Sequence, residues 1–383
     1  MVNLFADIVG QNRAKAVLAR ALEEGASHAY LFVGPDGVGK TTTARAFAAG
    51  LICAHGGCGT CNTCRRILGG LMHPDLREIF PEGNVIGIQQ IRDEEKILSD
   101  VFLRPFELES RAKVYIFHEA DAVTAEAANA LLRTLEDPPS HARFILITER
   151  PEEIFPTISS RCQHIAFSRM PESQIAAALR ERFGLSEDQA RQWARATGGD
   201  FAYAVELATT ESARHQRQRL LDLARDLPEF SFADTESALD ELMGMVESRA
   251  DAREAELKSI RGQAVEWAAG PRAKAREERR FDDLVRRQKR RLVTQGLRIV
   301  TQAFAGWYRD LAFVAVGAEE AVANRDRLED LRLFAFPESI PAYAEAVEMS
   351  RKAQQRLRYN VDARCAIGDM LYSIKEALTQ WPK

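Results

Sequence analysis

The stretch HAYLFVGPDGVGKTTTARAFAAGLIC, residues 28–53, decides the fold of the N-terminal part of the chain. Its apolar start predicts a buried strand at 28–35, and the amphipathic run 41–53 predicts a helix. Between them, GPDGVGKT at 34–41 fits the pattern G-x-x-x-x-G-K-[ST], whose glycines let backbone N–H groups point at phosphate oxygens. The sequence therefore predicts a phosphate-binding loop (P-loop), with a glycine-rich turn that binds nothing as the alternative.

The residues of this loop form the predicted nucleotide site. Lys40 can reach the β and γ phosphates, Thr41 can ligate magnesium, and the helix N-terminus adds its dipole. We expect ATP or ADP, with magnesium, to contact Gly34, Gly37, Val38, Gly39, Lys40, Thr41 and Thr42.

Further strands and helices extend the domain. The runs 113–121 and 143–149 predict buried strands, and 124–137 predicts a helix that stops before two prolines. Apolar runs without alternation are typical of parallel strands that are covered on both faces. Residues 1–168 are therefore predicted to form an α/β domain.

The remainder of the chain is helical in pattern. Short helices separated by glycines predict a small helical domain at 169–210, and 211–383 is predicted to be almost wholly helical. Charged residues interrupt the apolar stretch 297–317, which is therefore predicted to be a buried helix rather than a membrane span. The N-terminus lacks the features of a signal peptide, so a cytoplasmic location is expected.

Composition excludes several function classes. The chain has 383 residues, 52 basic and 56 acidic residues and a net charge of −4, so no chain-wide field attracts nucleic acid. Aromatic residues are 8%, which disfavours a base-stacking single-strand binder. The charge-dense segment 249–291 is either a basic face for DNA phosphates or a solvated helix with ion pairs. The acids among its bases favour ion pairs.

The strand VYIF leads into two residues that bear on hydrolysis. A P-loop ATPase needs one carboxylate to orient magnesium and a second to polarise the attacking water. Glu119 occupies the second position, but His118 occupies the first, and histidine is a poor partner for magnesium. Glu119 is the candidate catalytic base; the alternative is a capping or loop carboxylate.

Four of the six cysteines form a cluster. Their spacing is C-x4-C-x2-C-x2-C, with glycines that permit sharp turns, and it predicts one tetrahedral structural zinc site. An iron–sulfur cluster and unliganded thiols are the alternatives. The predicted ligands are Cys53, Cys58, Cys61 and Cys64.

Several segments occur in an order that resembles a known family. They are DIVGQ (7–11), the P-loop, the cysteine insert, HPDLREIFPEG (73–83), IQQIRD (88–93), ANALLRTLEDPP (128–139) and PTISSRCQ (156–163). The chain resembles the AAA+ subunits of the bacterial DNA polymerase III clamp loader, most of all their delta-prime class. The resemblance is dense over residues 5–170 and looser beyond them.

This resemblance implies an architecture and three further assignments. It implies an AAA+ α/β domain with a parallel sheet, a small helical lid and an all-helical collar that holds a ring of subunits. Arg161 matches the arginine that reaches the nucleotide of the adjacent subunit, and a local ion pair is the alternative. Thr148 matches the first sensor position. The lid motif at 198–208 contains no arginine where active motors carry one.

Three functions fit these features. The first is a ring subunit that donates Arg161 and has weak or no ATPase activity. It would work with the other loader subunits (gamma/tau and delta type), the sliding clamp and primed DNA. The second is an active gamma/tau-like motor of the same loader. The third is an AAA+ protein outside replication, such as a helicase loader.

Overall fold

A parallel sheet organises the N-terminal half of the chain. The computed structural model describes residues 4–71, 73–82, 85–92, 100–106, 110–266, 271–358 and 361–379. The chain divides into two units, Met1–Thr209 and Thr210–Lys383.

The sheet of the first unit has five strands in the order β2–β3–β4–β1–β5, and all neighbouring pairs are parallel. The strands are β1 Ala29–Val33, β2 Leu76–Ile79, β3 Lys113–Phe117, β4 Ala142–Thr148 and β5 Gln163–Ala166. The strands predicted at 28–35, 113–121 and 143–149 are confirmed, within a few residues at their ends. The sequence reasoning missed β2, at the edge of the sheet.

Both faces of the central strands are covered. Tyr30 and Phe32 of β1 pack into one apolar cluster, while Ala29 and Leu31 pack into another. Successive side chains of a strand point to opposite faces, so two clusters mean two helical layers. The uninterrupted apolar runs follow from this arrangement, and the predicted α/β class is confirmed.

The helices of the first unit lie before, between and after the strands. They are α1 Asn12–Glu24, α2 Lys40–Ile52, α3 Asn62–Leu68, α4 Ile88–Arg92, α5 Ala125–Glu136, α6 Pro156–Ser159, α7 Glu172–Phe183, α8 Glu187–Ala196 and α9 Phe201–Thr209. The last three are the predicted short helices, and Gly184, with φ +66°, ends α7. The Ser186 and Gln189 side chains form a capping box at the start of α8.

The regular structure of the second unit is entirely helical in its described residues, with turns and short coil segments between the helices. Its α-helices are α10 Glu211–Asp226, α11 Phe232–Glu266, α12 Pro271–Ala315, α13 Leu328–Phe334, α14 Ile340–Arg358 and α15 Ala363–Thr379. The stretch 297–317 is largely part of α12, where Phe304 and Trp307 are buried. Within the part of the chain that the structure describes, every helix falls short of the length and apolarity that a membrane crossing needs.

The charged segment 249–291 runs from α11 into α12. Lys289 Nζ lies 2.7 Å from Asp251 Oδ1 and 2.9 Å from Glu254 Oε2. These contacts agree with the ion-pair interpretation of the segment. Many of its other side chains lie outside the described residues.

Candidate functional site

The P-loop follows β1 at the carboxyl end of the sheet. Gly37 has φ +77° and Gly39 has φ +93°, in the left-handed region that favours glycine. Gly39 caps α2, and its carbonyl oxygen accepts hydrogen bonds from the backbone and side chain of Thr43. Lys40 is buried, and its ammonium donates to the carbonyl oxygens of Gly34 (2.6 Å) and Pro35 (2.5 Å). The lysine therefore lies across the loop.

The other predicted loop residues differ in exposure. Val38 is buried in the apolar core, so only its backbone can face a ligand. Thr41 is half-buried and Thr42 is exposed in the first turn of α2. The loop and the first turn of α2 thus carry one buried lysine and two threonines that are at least partly exposed.

The ends of three strands meet beside this loop. The Gly34 N–H donates to the Thr148 carbonyl oxygen at 3.3 Å, which joins the ends of β1 and β4. Strand β3 pairs with β4 on its other side, so His118 and Glu119 lie at the same edge. The topology thus brings together the predicted loop, acid and sensor positions.

His118 takes part in a buried polar cluster. Its Nε2 donates to Glu78 Oε2 at 3.0 Å, and its ring stacks on Phe80 with centroids 4.0 Å apart. Arg45, on α2, donates to both oxygens of Glu78, at 2.6 and 2.9 Å. Burial disfavours the charged carboxylate, but hydrogen bonds and charges from His118 and Arg45 prevail and hold the pKa of Glu78 well below its usual range.

Glu119 has the opposite environment. It is exposed at the end of β3, with φ +49° and ψ 52°. A left-handed backbone is unusual for a residue other than glycine, and such strain is concentrated at functional sites. Glu119, the predicted catalytic base, is therefore accessible to solvent, whereas the neighbouring His118 is buried and hydrogen-bonded to Glu78.

The hydroxyl of Thr148 is engaged by its neighbours. It donates to Asp121 Oδ1 at 2.6 Å and accepts from the Arg150 N–H at 2.9 Å. The Arg150 guanidinium also pairs with Asp121. The sequence reasoning did not include Asp121 or Arg150. The position of Asp121, an acid two residues after Glu119, could have indicated its part in the site. No feature of the sequence indicated a part for Arg150.

Arg161 lies just beyond α6. Its Nη2 donates to Glu136 Oε1 at 2.6 Å, and its Nη1 donates to the Thr157 carbonyl oxygen at 2.8 Å. The side chains of Arg161 and Glu136 are 34% and 52% exposed. The local ion pair named as the alternative is therefore present, and it is a solvent-exposed one.

The four cysteines converge on one point beyond the C-terminus of α2. Their Sγ atoms all lie within 4.8 Å of one another, and Cys53 Sγ is 3.9 Å from Cys58 Sγ and 3.7 Å from Cys61 Sγ. Four thiolates at 2.3 Å from zinc would be separated by about 3.8 Å. The donor set fits a closed, four-coordinate metal site.

Backbone N–H groups support this cluster. The Cys61 N–H donates to Cys58 Sγ at 3.3 Å, and the Cys64 N–H donates to Cys61 Sγ at 3.4 Å. Hydrogen bonds from the backbone of Cys61 and Thr60 lower the pKa of the Cys58 thiol to about 6. A thiolate is the form that binds metal, so this environment prepares Cys58 as a ligand.

The chain is similar to subunits of DNA polymerase III. Residues 10–171 match the sequence family described as "DNA polymerase III, delta subunit". The delta-prime subunit of Bacillus subtilis is 37% identical over 217 residues, which are 56% of this chain and 64% of that protein. The tau/gamma subunit of Haemophilus influenzae is 35% identical over 224 residues, 56% of this chain and 32% of that protein.

A gamma subunit-related protein of Thermotoga maritima, of known structure, aligns with 18% identity and a TM-score of 0.43. The alignment covers 96% of this chain and all of that one. The curated relatives are longer than the aligned region, since the chain spans 64% of the first and about a third of the second.

Proposed function

We propose that this chain, whose residues 10–171 belong to the family of DNA polymerase III clamp-loader subunits, is a delta-prime-type subunit with little ATPase activity of its own. It assembles with gamma/tau-type and delta-type subunits in the cytoplasmic replisome and helps to place the sliding clamp on primed DNA. Residues 211–383 are its collar, through which the subunits associate. Its part in catalysis is Arg161, offered to the ATP site of the adjacent subunit.

The main support for weak turnover is His118, where a P-loop ATPase has its magnesium-orienting carboxylate. The ring is buried and bonded to Glu78, whose two oxygens already accept from Arg45. Position 118 therefore offers no oxygen ligand to magnesium or its waters. The absence of arginine from residues 198–208 also supports weak ATP turnover. The P-loop still binds ATP or ADP, but hydrolysis is slow.

The surroundings of Arg161 suit a residue that acts on a neighbour. Exposed ion pairs contribute only about 0.2–1 kcal/mol, so little free energy holds Arg161 against Glu136. A guanidinium is planar, permanently charged and able to bind two phosphate oxygens at once. Release of Arg161 from a weak partner lets it stabilise charge on the neighbour's phosphates in the transition state.

Substitution of Arg161 tests this role in the reconstituted loader. Arg161→Ala is expected to fold, assemble and keep its own nucleotide affinity, while the DNA- and clamp-stimulated ATPase rate and clamp loading fall. An arginine that acts in trans is worth about 10³-fold or more at the site it serves, but it serves one site among several, so the total loss is partial. Arg161→Lys is expected to restore little.

The matched control removes the other half of the ion pair. If Arg161 serves only the local pair, Glu136→Gln and Arg161→Ala will change stability and activity alike. If Arg161 acts in trans, Glu136→Gln leaves the loader ATPase rate intact. Unchanged ATPase and clamp loading in Arg161→Ala would refute the role.

A second candidate is an active gamma/tau-like motor of the same loader. The complete P-loop and the exposed Glu119 favour it, as do tau/gamma relatives whose identity, 35%, is close to the 37% of the delta-prime relative. ATP turnover by the isolated chain separates the two candidates.

The cysteine cluster holds a structural zinc in this proposal. Four sulfur ligands leave no open coordination position, so the metal stabilises the insert after α2 and takes no part in hydrolysis. The convergence of four thiols within 4.8 Å of one another supports zinc. Elemental analysis of the purified protein distinguishes zinc from the iron of an iron–sulfur cluster.

A further inference from the structure

Asp200 packs its carboxylate directly onto the P-loop. A Cβ atom at Gly37 would lie 2.3 Å from Asp200 Cγ and 2.4 Å from each carboxylate oxygen, so only glycine leaves room for this contact. Asp200 is 5% exposed. The P-loop pattern leaves position 37 open to any residue, so the pattern itself does not account for the close approach.

The start of α9 fixes this carboxylate in place. Asp200 Oδ1 accepts a hydrogen bond from the Tyr203 N–H at 3.0 Å, as a helix N-cap does. The preceding Gly198 carbonyl oxygen accepts from Arg169 Nη1 at 2.7 Å. Because the carboxylate is anchored to the first turn of α9, it can leave Gly37 only if α9 moves or its cap opens.

The charge of Asp200 opposes the chemistry of the loop. Backbone N–H groups, Lys40 and the α2 N-terminus all favour bound anions. A carboxylate at the edge of that loop repels phosphate, and the repulsion is strong because buried charges are poorly screened. The lid helix therefore contributes a negative charge beside the loop.

We propose that Asp200, packed on Gly37 at the start of α9, lowers the affinity of the P-loop for nucleotide phosphates. The inference rests on the proposed nucleotide site at the P-loop, but it is independent of the trans role of Arg161.

Asp200→Asn tests the charge alone, because asparagine retains both the shape and the capping oxygen. Binding of ADP, pyrophosphate and adenosine to the full chain is measured by calorimetry at constant ionic strength. The Asn variant is expected to bind ADP and pyrophosphate at least about tenfold more tightly than wild type. Adenosine, which carries no phosphate, is expected to bind with unchanged affinity.

Three further substitutions keep the result interpretable. Asp188→Asn removes an exposed acid of the same lid and is expected to leave all affinities unchanged. Asp200→Ser, also a good cap, is expected to reproduce the gain if the asparagine variant folds poorly. Lys40→Ala, in the wild-type and Asp200→Asn backgrounds, is expected to abolish phosphate-dependent binding and so assigns the signal to the P-loop.

An unchanged or weaker affinity for ADP and pyrophosphate in the folded Asp200→Asn and Asp200→Ser proteins would overturn the inference and leave the proposed nucleotide site standing. If neither wild type nor variant binds any phosphate ligand, both are wrong. A gain that is equal for adenosine would also overturn the inference, because it would not act through the phosphates.

Discussion

Two glycine-rich loops lie at opposite ends of α2, and their side chains behave differently. At the C-terminal end, four thiols turn toward one point, with Sγ atoms within 4.8 Å of one another. At the N-terminal end, His118 and Thr148, beside the P-loop, are bonded to Glu78 and Asp121 instead of facing a common ligand. The cysteine loop has the geometry of a complete metal-binding site, whereas His118 and Thr148 of the proposed nucleotide site are bonded within the fold.

The two loops depend on their surroundings to different extents. The P-loop depends on local backbone conformation, so it persists when the residues around it change. Hydrolysis depends on groups from several strands, and any of them can be recruited into a structural cluster. We therefore expect substitutions in the cysteine loop to change mainly the stability of the protein. For the P-loop we expect nucleotide binding with little hydrolysis.

The largest effect is expected at the cysteine loop. Cys61→Ser removes one ligand of the proposed zinc, and structural metal sites contribute folding free energy directly. The melting temperature of the first unit is expected to fall by about 10 °C or more, with a much smaller change in nucleotide affinity. The measurement is thermal unfolding with metal analysis of both proteins.

Cys365→Ser is the matched control, because Cys365 is exposed and far from the cluster in sequence. It is expected to leave both melting temperature and metal content unchanged. Purified wild type without zinc or another metal would contradict the account of the cysteine loop.

A smaller effect is expected in the cluster beside the P-loop. Glu78→Gln keeps the shape but removes a buried negative charge between Arg45 and His118, so the variant should be less stable by about 2 kcal/mol near neutral pH. The folded-state pKa of Glu78 lies below its unfolded value. The ionised Glu78 therefore makes its full contribution to the free energy of unfolding above the unfolded-state pKa. This contribution declines as the pH falls below about 4.

Urea unfolding of both proteins between pH 7 and pH 3 checks this dependence. The stability difference is expected to shrink as the pH falls. Glu24→Gln, which alters an exposed pair with Arg20, is the control and should change stability little at any pH. A Glu78→Gln variant as stable as wild type at neutral pH would show that the cluster is not structural.

The sequence predicted those features whose residues lie close together along it. Apolar runs located β1, β3 and β4, and the cysteine spacing located four thiols that the structure brings together. Strand β2 was missed because LREI is short, carries Arg77 and Glu78, and lies at the sheet edge. A short, half-polar strand has no distinctive pattern.

The contacts beside the P-loop could not be predicted from the spacing of residues along the sequence. Arg45 and Glu78 are 33 positions apart, and Glu78 and His118 are 40 apart, so only the folded sheet brings them together. The sequence did predict that position 118 departs from a magnesium site. It could not show that the histidine is held by a buried ion pair, or that Asp200 packs on Gly37.

Nucleotide binding without appreciable hydrolysis is tested by measuring ATP turnover by the isolated 383-residue chain with magnesium, beside nucleotide binding measured by calorimetry. We expect measurable nucleotide binding with turnover far below about 1 s⁻¹, the lower end of ordinary enzyme rates. Turnover at about 1 s⁻¹ or faster that Glu119→Gln abolishes would contradict the account and identify the chain as an active motor.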